Sequence, residues 1–390
     1  MENIMDFLAL LLIIALVVTA QGQIYKHFSM RHLDYSCRLS ADEVYEGDEI
    51  ELIETLSNKK WLPIPWLKVE ITTSRWLDFA GSQSIVTSET RYVPSFFLMK
   101  SYHKVTRRWK VSCLRRGAHR NEKAVLVGTD LLGSGSYSKP TTVDSGVMVL
   151  PKIPDLAEIF ISPNHMVGEM VVRRHLISDP FLIAGVREYA DGDAMNQIHW
   201  SATARQQTLM VRNQDYTSSQ SLLVLMNMQT RRDENCQVID RSLAELAIHT
   251  CAAYFDQTIQ SGIPVGFMCN SSLDGSDTPI ITNTFWGPEH VNDLLRLLAR
   301  LPFWCTGIFD KFLLEHGKTI QATDIVLITS YVSDQIMEFI RAKQMNGIHV
   351  KLIIVNNIPD EEIPGECEVY CLRDEIKEAL QKVLGRDLSY

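Results

Sequence analysis

Residues 222–226 read LLVLM, and two later runs repeat the theme at residues 325–329 (IVLIT) and 350–355 (VKLIIV). Runs this short and this uniformly apolar fit strands buried on both faces. Between them lie segments with helical spacing: residues 238–260, 291–301 and 333–344, the last closed by Gly347; residues 265–269 (VGFMC) supply a further strand. Strand and amphipathic helix in alternation imply βαβ crossovers and an α/β domain with a mainly parallel sheet.

Toward the N-terminus the period changes to two. Residues 49–56 (EIELIETL), 66–72 (WLKVEIT) and 104–114 (KVTRRWKVSCL) alternate or are rich in β-branched and aromatic residues, with Gly47, Asn58, Pro63, Pro65, Gly81, Gly117 and Gly133 between them as turns. This predicts a β-sandwich-like domain over residues 33–150. Arg115 and Arg116 before Gly117 read as solvated charges at a strand end, or as a patch for phosphate or lipid headgroups. MVLP at residues 148–151, followed by Pro154 and Pro163, marks a junction, so the second domain takes residues 151–390.

Residues 7–20 (FLALLLIIALVVTA) carry no charge. With the flanking apolar positions, residues 4–20 approach the length that spans hydrocarbon at about 1.5 Å per residue. A cleaved signal peptide is the rival reading, but Glu2 and Asp6 stand where such a peptide has Lys or Arg. Lys26, Arg31 and Arg38 follow the apolar run, so the positive-inside bias predicts a single-pass anchor over residues 1–32, N-terminus outside and body in the cytoplasm.

The 390 residues are 46% hydrophobic and 22% charged, which excludes disordered and low-complexity classes. A net charge of −9 argues against nucleic acid as a main partner. Eight scattered cysteines lack the spacing of a disulfide framework or a zinc site and read as reduced, buried small hydrophobes.

Residues 186–215 concentrate functional-looking groups: Arg187, Glu188, Tyr189, Asp191, Gly192, Asp193, His199, Trp200, Arg205 and Arg212. Asp191 and Asp193 could hold a divalent cation with His199 as base or ligand. Alternatively the arginines pair with Glu188 and Asp193 while Trp200 fills a hydrophobic layer, as a structural or docking network.

The run Arg187-Glu188-Tyr189, Gly192-Asp193, Ile198-His199-Trp200 and Ala204-Arg205 resembles the signature of the bacterial domain-of-unknown-function family 58. The resemblance extends to Glu46-Gly47-Asp48, Pro63-Ile64-Pro65-Trp66, Arg116-Gly117, Asp130-Leu131-Leu132-Gly133 and Leu150-Pro151. It implies an N-terminal membrane segment, a β-rich region and a von Willebrand factor A-like domain. It also implies an accessory role beside MoxR-type AAA+ ATPases in assembling or maturing envelope or secreted components. It carries over no established enzymatic activity, no catalytic motif stands in the sequence, and no cofactor is expected.

A von Willebrand A-like domain holds Mg²⁺ through an Asp-x-Ser-x-Ser loop after its first strand. Here that loop reads Asn227-Met228-Gln229-Thr230-Arg231, with two amides and an arginine in the ligand positions, which predicts that the cation is lost. A membrane-tethered interaction protein is the leading expectation. A metal-dependent ligand-binding protein is the alternative, and a hydrolase built on Asp191, Asp193 and His199 is the third, without a nucleophile motif or phosphate loop to support it.

Overall fold

The computed structural model describes residues 2–133, 135–161, 177–189, 198, 200–217, 221–232, 239–273, 275–357, 367–376 and 378. The chain divides into two compact units: Met1–Lys152 with Leu295–Leu301, and Ile153–Leu294 with Pro302–Tyr390.

The first unit opens with helix α1 (Glu2–Phe28). Its segment Asp6–Phe28, 23 residues of mean hydropathy 2.3, is long and apolar enough to cross a membrane, a form that signal sequences share. Ten strands follow: β1 (Leu33–Leu39), β2 (Glu43–Tyr45), β3 (Glu49–Asn58), β4 (Ile64–Ser74), β5 (Leu77–Phe79), β6 (Ile85–Val86), β7 (Thr90–Met99), β8 (Lys104–Cys113), β9 (Gly117–Thr129) and β10 (Ser136–Leu150). They form one sheet in the order β1-β3-β8-β5 and another in the order β2-β10-β9-β4-β7-β6, antiparallel except for the β10–β2 pair.

Period-two patterning explains the layering. In β3 the residues Ile50, Leu52 and Leu56 point inward, in β4 Ile64, Val69 and Ile71, and the two inner faces share one core. Gly47 (φ 97°) and Gly133 (φ 70°) turn the chain where a side chain would be strained. Arg116 corrects both sequence readings of the arginine pair. It is buried, and its guanidinium donates to the carbonyls of Leu298 and Leu301, while Arg115 stacks over Trp76.

One inward position of β3 breaks the apolar pattern. Glu54 is fully buried; its Oε1 accepts from the Tyr35 hydroxyl (2.9 Å), and its Oε2 accepts from Ser95 Oγ (2.7 Å) and Trp109 Nε1 (2.6 Å). Ser95 belongs to β7 of the facing sheet, so the carboxylate fastens the two layers together. Burial, and then the Glu54 charge, push the Tyr35 phenol far above its ordinary value, which keeps it a donor.

The second unit contains α2 (Leu156–Ile159), β11 (Phe160–Ile161), β12 (Ile177–Glu188), α3 (Trp200–Gln206), β13 (Met210–Thr217), β14 (Leu222–Met226), α4 (Arg241–Ser261), β15 (Val265–Cys269), β16 (Ile280–Ile281), the first half of α5 (Pro288–Arg300), whose residues from Leu295 on belong to the first unit, α6 (Phe309–His316), β17 (Asp324–Thr329), α7 (Asp334–Met345), β18 (His349–Ile354) and β19 (Glu368–Leu372). Its main sheet has the order β11-β19-β18-β17-β14-β15-β16 among the described residues. The five central strands are parallel, and β11 and β16 are antiparallel edges.

Every residue of β14 and β15 is buried, as their uniformly apolar sequences require. Leu223, Leu225, Ile325 and Leu327 share a core with Phe309 and Phe312 of α6 and Ile336 and Ile340 of α7, and α4 packs against β14 and β17. Asp240 caps α4 through the amides of Ser242 and Leu243, Gly262 (φ 67°) ends it, and Ser333 caps α7 through Ile336 N.

Replacing Glu54 separates two effects. Glu54→Ala leaves the buried Ser95 hydroxyl and the half-buried Tyr35 and Trp109 donors without their acceptor, at about 1–3 kcal/mol for a fully buried group and less for the other two. Glu54→Gln keeps an oxygen for Ser95 and Trp109 and turns its amide toward the Tyr35 hydroxyl. Thermal melts of the full chain in detergent are expected to show a large loss for the alanine variant and a small one for glutamine. Burial also pushes the Cys37 thiol up to about 12 and, with Asp48 nearby, the Cys113 thiol up to about 11. Above the ordinary thiol value the unfolded chain loses protons that the folded chain keeps, so this contribution to stability falls as pH rises through 9 to 12. At pH 8 a thiol reagent is expected to modify both cysteines only after denaturant unfolds the unit.

Candidate functional site

In an open parallel sheet, ligand sites form outside the carboxyl ends of strands where successive connections leave in opposite directions. Here β14 runs through α4 to β15 on one side, while β17 lies on its other side and leads through α7 to β18. The switch point is therefore at the carboxyl ends of β14 and β17. Polar residues follow each strand there: Asn227, Gln229 and Thr230 after β14, Asn270 to Ser272 after β15, and Thr329 and Ser330 at the end of β17.

These side chains satisfy one another. Asn227 N donates to the Ile328 carbonyl (2.9 Å), and Asn227 Nδ2 to Thr329 Oγ1 (3.0 Å), which in turn donates to the Tyr331 carbonyl (2.9 Å). Asn227 Oδ1 accepts from Gln229 N (2.9 Å). Asn270 Oδ1 accepts from Met228 N (2.8 Å), while its Nδ2 donates to the Gly307 carbonyl (3.0 Å).

Gln229 is the centre of this network and is 2% exposed. Its Oε1 accepts from Phe309 N (3.1 Å) and the Tyr331 hydroxyl (3.0 Å), and its Nε2 donates to the Arg231 carbonyl (2.9 Å). One amide thus holds the start of α6, the loop after β17 and the loop after β14. At the mouth, Ser333 Oγ donates to Asp310 (2.7 Å), and Arg231 and Arg232 are exposed, with Arg232 facing Asp334 at 3.1 Å.

A divalent cation needs oxygens with unused lone pairs and net negative charge. Asn227, Gln229, Asn270 and Thr329 carry no charge, and their amide oxygens already accept hydrogen bonds. Among the described residues no group of three or more His, Cys, Asp and Glu is positioned to hold a metal. Away from the switch point, a groove of about 320 Å³ runs between α6 and α7, lined by Leu313, Leu314, Lys318, Glu338 and Phe339.

The residues singled out in the sequence separate. Arg187 and Glu188 stand at the end of β12, opposite Val211 and Met210 of β13, and Tyr189 N donates to the Leu209 carbonyl (2.8 Å). Thr203 of α3 accepts from Met210 N (3.0 Å), which fixes that helix against β13. Arg205 is exposed in the last turn of α3. Trp200 is 67% exposed, which overturns the expectation that it fills a hydrophobic layer. Asp191, Gly192, Asp193 and His199 lie outside the described residues. The loop residues Asn227, Gln229 and Arg231 do meet at the switch point. Their partners Asn270, Thr329 and Tyr331 do not stand out in the sequence, where the only signal is a polar residue directly after VGFMC and after IVLI.

A family model described as "Protein of unknown function DUF58" matches residues 185–383. No match was found among curated proteins. Solved structures similar to part of the chain include a non-cellulosomal cohesin from Archaeoglobus fulgidus, at 12% identity and TM-score 0.22 over 30% of this chain and 91% of that one. A CARDB domain from Pyrococcus furiosus, in complex with di-metal ions, is 11% identical at TM-score 0.19, covering 29% and 96%. A cohesin module of a Clostridium perfringens glycoside hydrolase is 10% identical at TM-score 0.19, covering 29% and 97%. Likenesses this loose carry no argument.

Removing the central amide tests how much the network holds. Gln229→Ala leaves the Phe309 amide and the Tyr331 hydroxyl without their acceptor, at about 1–3 kcal/mol for each buried group. Gln229→Glu sets a carboxylate oxygen against the Arg231 carbonyl and is expected to cost at least as much. Chemical denaturation of the full chain, followed through the second unit's helical signal, checks both.

Proposed function

The chain belongs to the DUF58 family of proteins of unknown function, whose model covers just over half of it, and from that membership we propose that it is a membrane-anchored interaction protein. Its α/β unit serves as a von Willebrand A-like docking module working with a MoxR-type AAA+ ATPase in assembly or maturation of envelope or secreted components. The observation that carries the reading is the closed switch point. The place where an open α/β sheet takes a ligand or cation is filled by the chain's own neutral side chains, which leaves the charged rim of Arg231, Arg232 and Asp334 as the contact surface. On this reading the adhesion-type cation is lost and the fold around it kept.

The anchor reading rests on α1. Cleavage after Ala20 would cut inside a continuous helix whose next residues are tied to the sandwich: Gln21 Nε2 donates to Asp130 (3.3 Å), and Tyr25, 2% exposed, donates to the Pro63 carbonyl (3.0 Å). The exposed Lys26 and His27 in the last turn of α1, and Arg31 just beyond it, favour a cytoplasmic body.

Three measurements check the proposal. A cytoplasm-only reporter fused after residue 390 is expected to be active, and an export-dependent one silent; the reverse, or a mature chain starting at Gln21, overturns the anchor. Equilibrium dialysis is expected to show no Mg²⁺ or Ca²⁺ bound to the full chain. Pull-down with a purified MoxR-type ATPase is expected to weaken at least tenfold, about 1.4 kcal/mol, for the Arg231→Ala, Arg232→Ala double variant with an unchanged melt. Cation binding, or capture indifferent to that variant, overturns the docking reading.

A further inference from the structure

Resting on the anchor reading, we infer that one end of the β-sandwich is itself a membrane-binding surface, an aromatic and basic rim that beds into the interface of an anionic phospholipid bilayer. Three connections of the sandwich gather around the last turns of α1. Pro63 in the β3–β4 loop accepts from Tyr25 (3.0 Å), Asp130 after β9 accepts from Gln21 (3.3 Å), and Tyr137 of β10 donates to the Gly22 carbonyl (3.1 Å). Asn58 Nδ2 donates to the carbonyls of Leu62 and Lys100, and Tyr102 N to the Lys60 carbonyl (3.1 Å), which joins the β7–β8 turn to the same end. Lys60 Nζ donates to the Arg31 carbonyl (2.9 Å) just beyond the helix.

This end exposes what a soluble surface disperses. Trp61 (62%) and Tyr102 lie in those loops, and Leu131 and Leu132 (63%) directly follow Asp130. Trp66 (68%) lies within the register shift between β4 and β7, which also takes in exposed Leu98, on the adjoining outer face. Isolated apolar residues on a surface need no explanation, but a tryptophan, a tyrosine and two leucines at one end, with a second tryptophan and a third leucine on the face beside it, do. Trp and Tyr, apolar in body and polar at the tip, are the residues that settle at the headgroup level.

The depth follows from the helix. Its 23-residue apolar segment is about 35 Å long, against about 30 Å of hydrocarbon. About twenty residues counted from Asp6 span that hydrocarbon and end at Tyr25, which donates to Pro63, so the β3–β4 loop stands near the boundary and the groups bonded to Gln21 and Gly22 about one helical turn deeper. Exposed Lys26, Arg31, Lys100 and Lys104 border the apolar residues and supply charge complementary to anionic headgroups.

The test uses the full chain reconstituted in vesicles of phosphatidylcholine and phosphatidylglycerol, with and without brominated acyl chains. None of the seven tryptophans lies in α1, so quenching by bromine reads the body against the bilayer. Quenching of the wild type is expected, and most of it is expected to vanish in the Trp61→Phe, Trp66→Phe variant, whose exposed rings leave the fold intact. An alkaline carbonate wash of the same vesicles separates the two readings. Release of the chain overturns the anchor and the rim with it. Retention without quenching, or quenching unchanged in the double variant, overturns the rim alone.

Discussion

Both faces of the central parallel strands are buried, and the second unit's arrangement of polar groups follows from that constraint. Strands such as LLVLM have no face on which to place a polar side chain, so polarity is displaced to the residues just past their carboxyl ends. Those residues are buried as well, and each must find a partner inside the protein. An amide suits this position because it donates and accepts at once. Gln229 uses both capacities to hold three loops, and Asn227 and Asn270 do the same for their neighbours. A carboxylate there would accept only, and would call for a cation to balance it.

The sandwich meets the same demand with the opposite choice. Glu54 is an acceptor surrounded by donors: two hydroxyls and an indole N–H, one of them on the facing sheet. Three charge-assisted hydrogen bonds offset part of the cost of removing a carboxylate from water. They also give the two layers a specific register, which apolar contacts between Leu52, Leu56 and the facing Ile and Val residues do not impose.

Period and apolar run length make much of the fold legible. The strands at 222–226 and 265–269 stand where the apolar runs are, and the helix expected over 238–260 runs Arg241–Ser261 between an aspartate cap and a left-handed glycine. The β12–β13 pair is not legible in this way: Pro180 precedes and Gly185 interrupts the apolar run FLIAGV of β12, and MVRNQDYT in β13 shows neither an apolar run nor alternation. Glu54 is only half legible. In EIELIETL it shares the face of Ile50, Leu52 and Leu56, but the donors that let a carboxylate stay there, Tyr35 and Trp109 in its own sheet and Ser95 of β7 in the facing one, are distant in sequence. Trp200 misleads because bulk and apolarity suggest burial, whereas α3 buries none of its residues.

The charge distribution connects the sandwich to its proposed surface. With a net charge of −9, the chain as a whole is repelled by an anionic bilayer. Salt screens that repulsion beyond about 8 Å, so only charges close to the headgroups count. The cations at Lys26, Arg31, Lys100 and Lys104 belong to the end that meets α1. An end-on seating thus brings the basic rim within the screening length. The tether supplies proximity, and the local sign of charge supplies orientation.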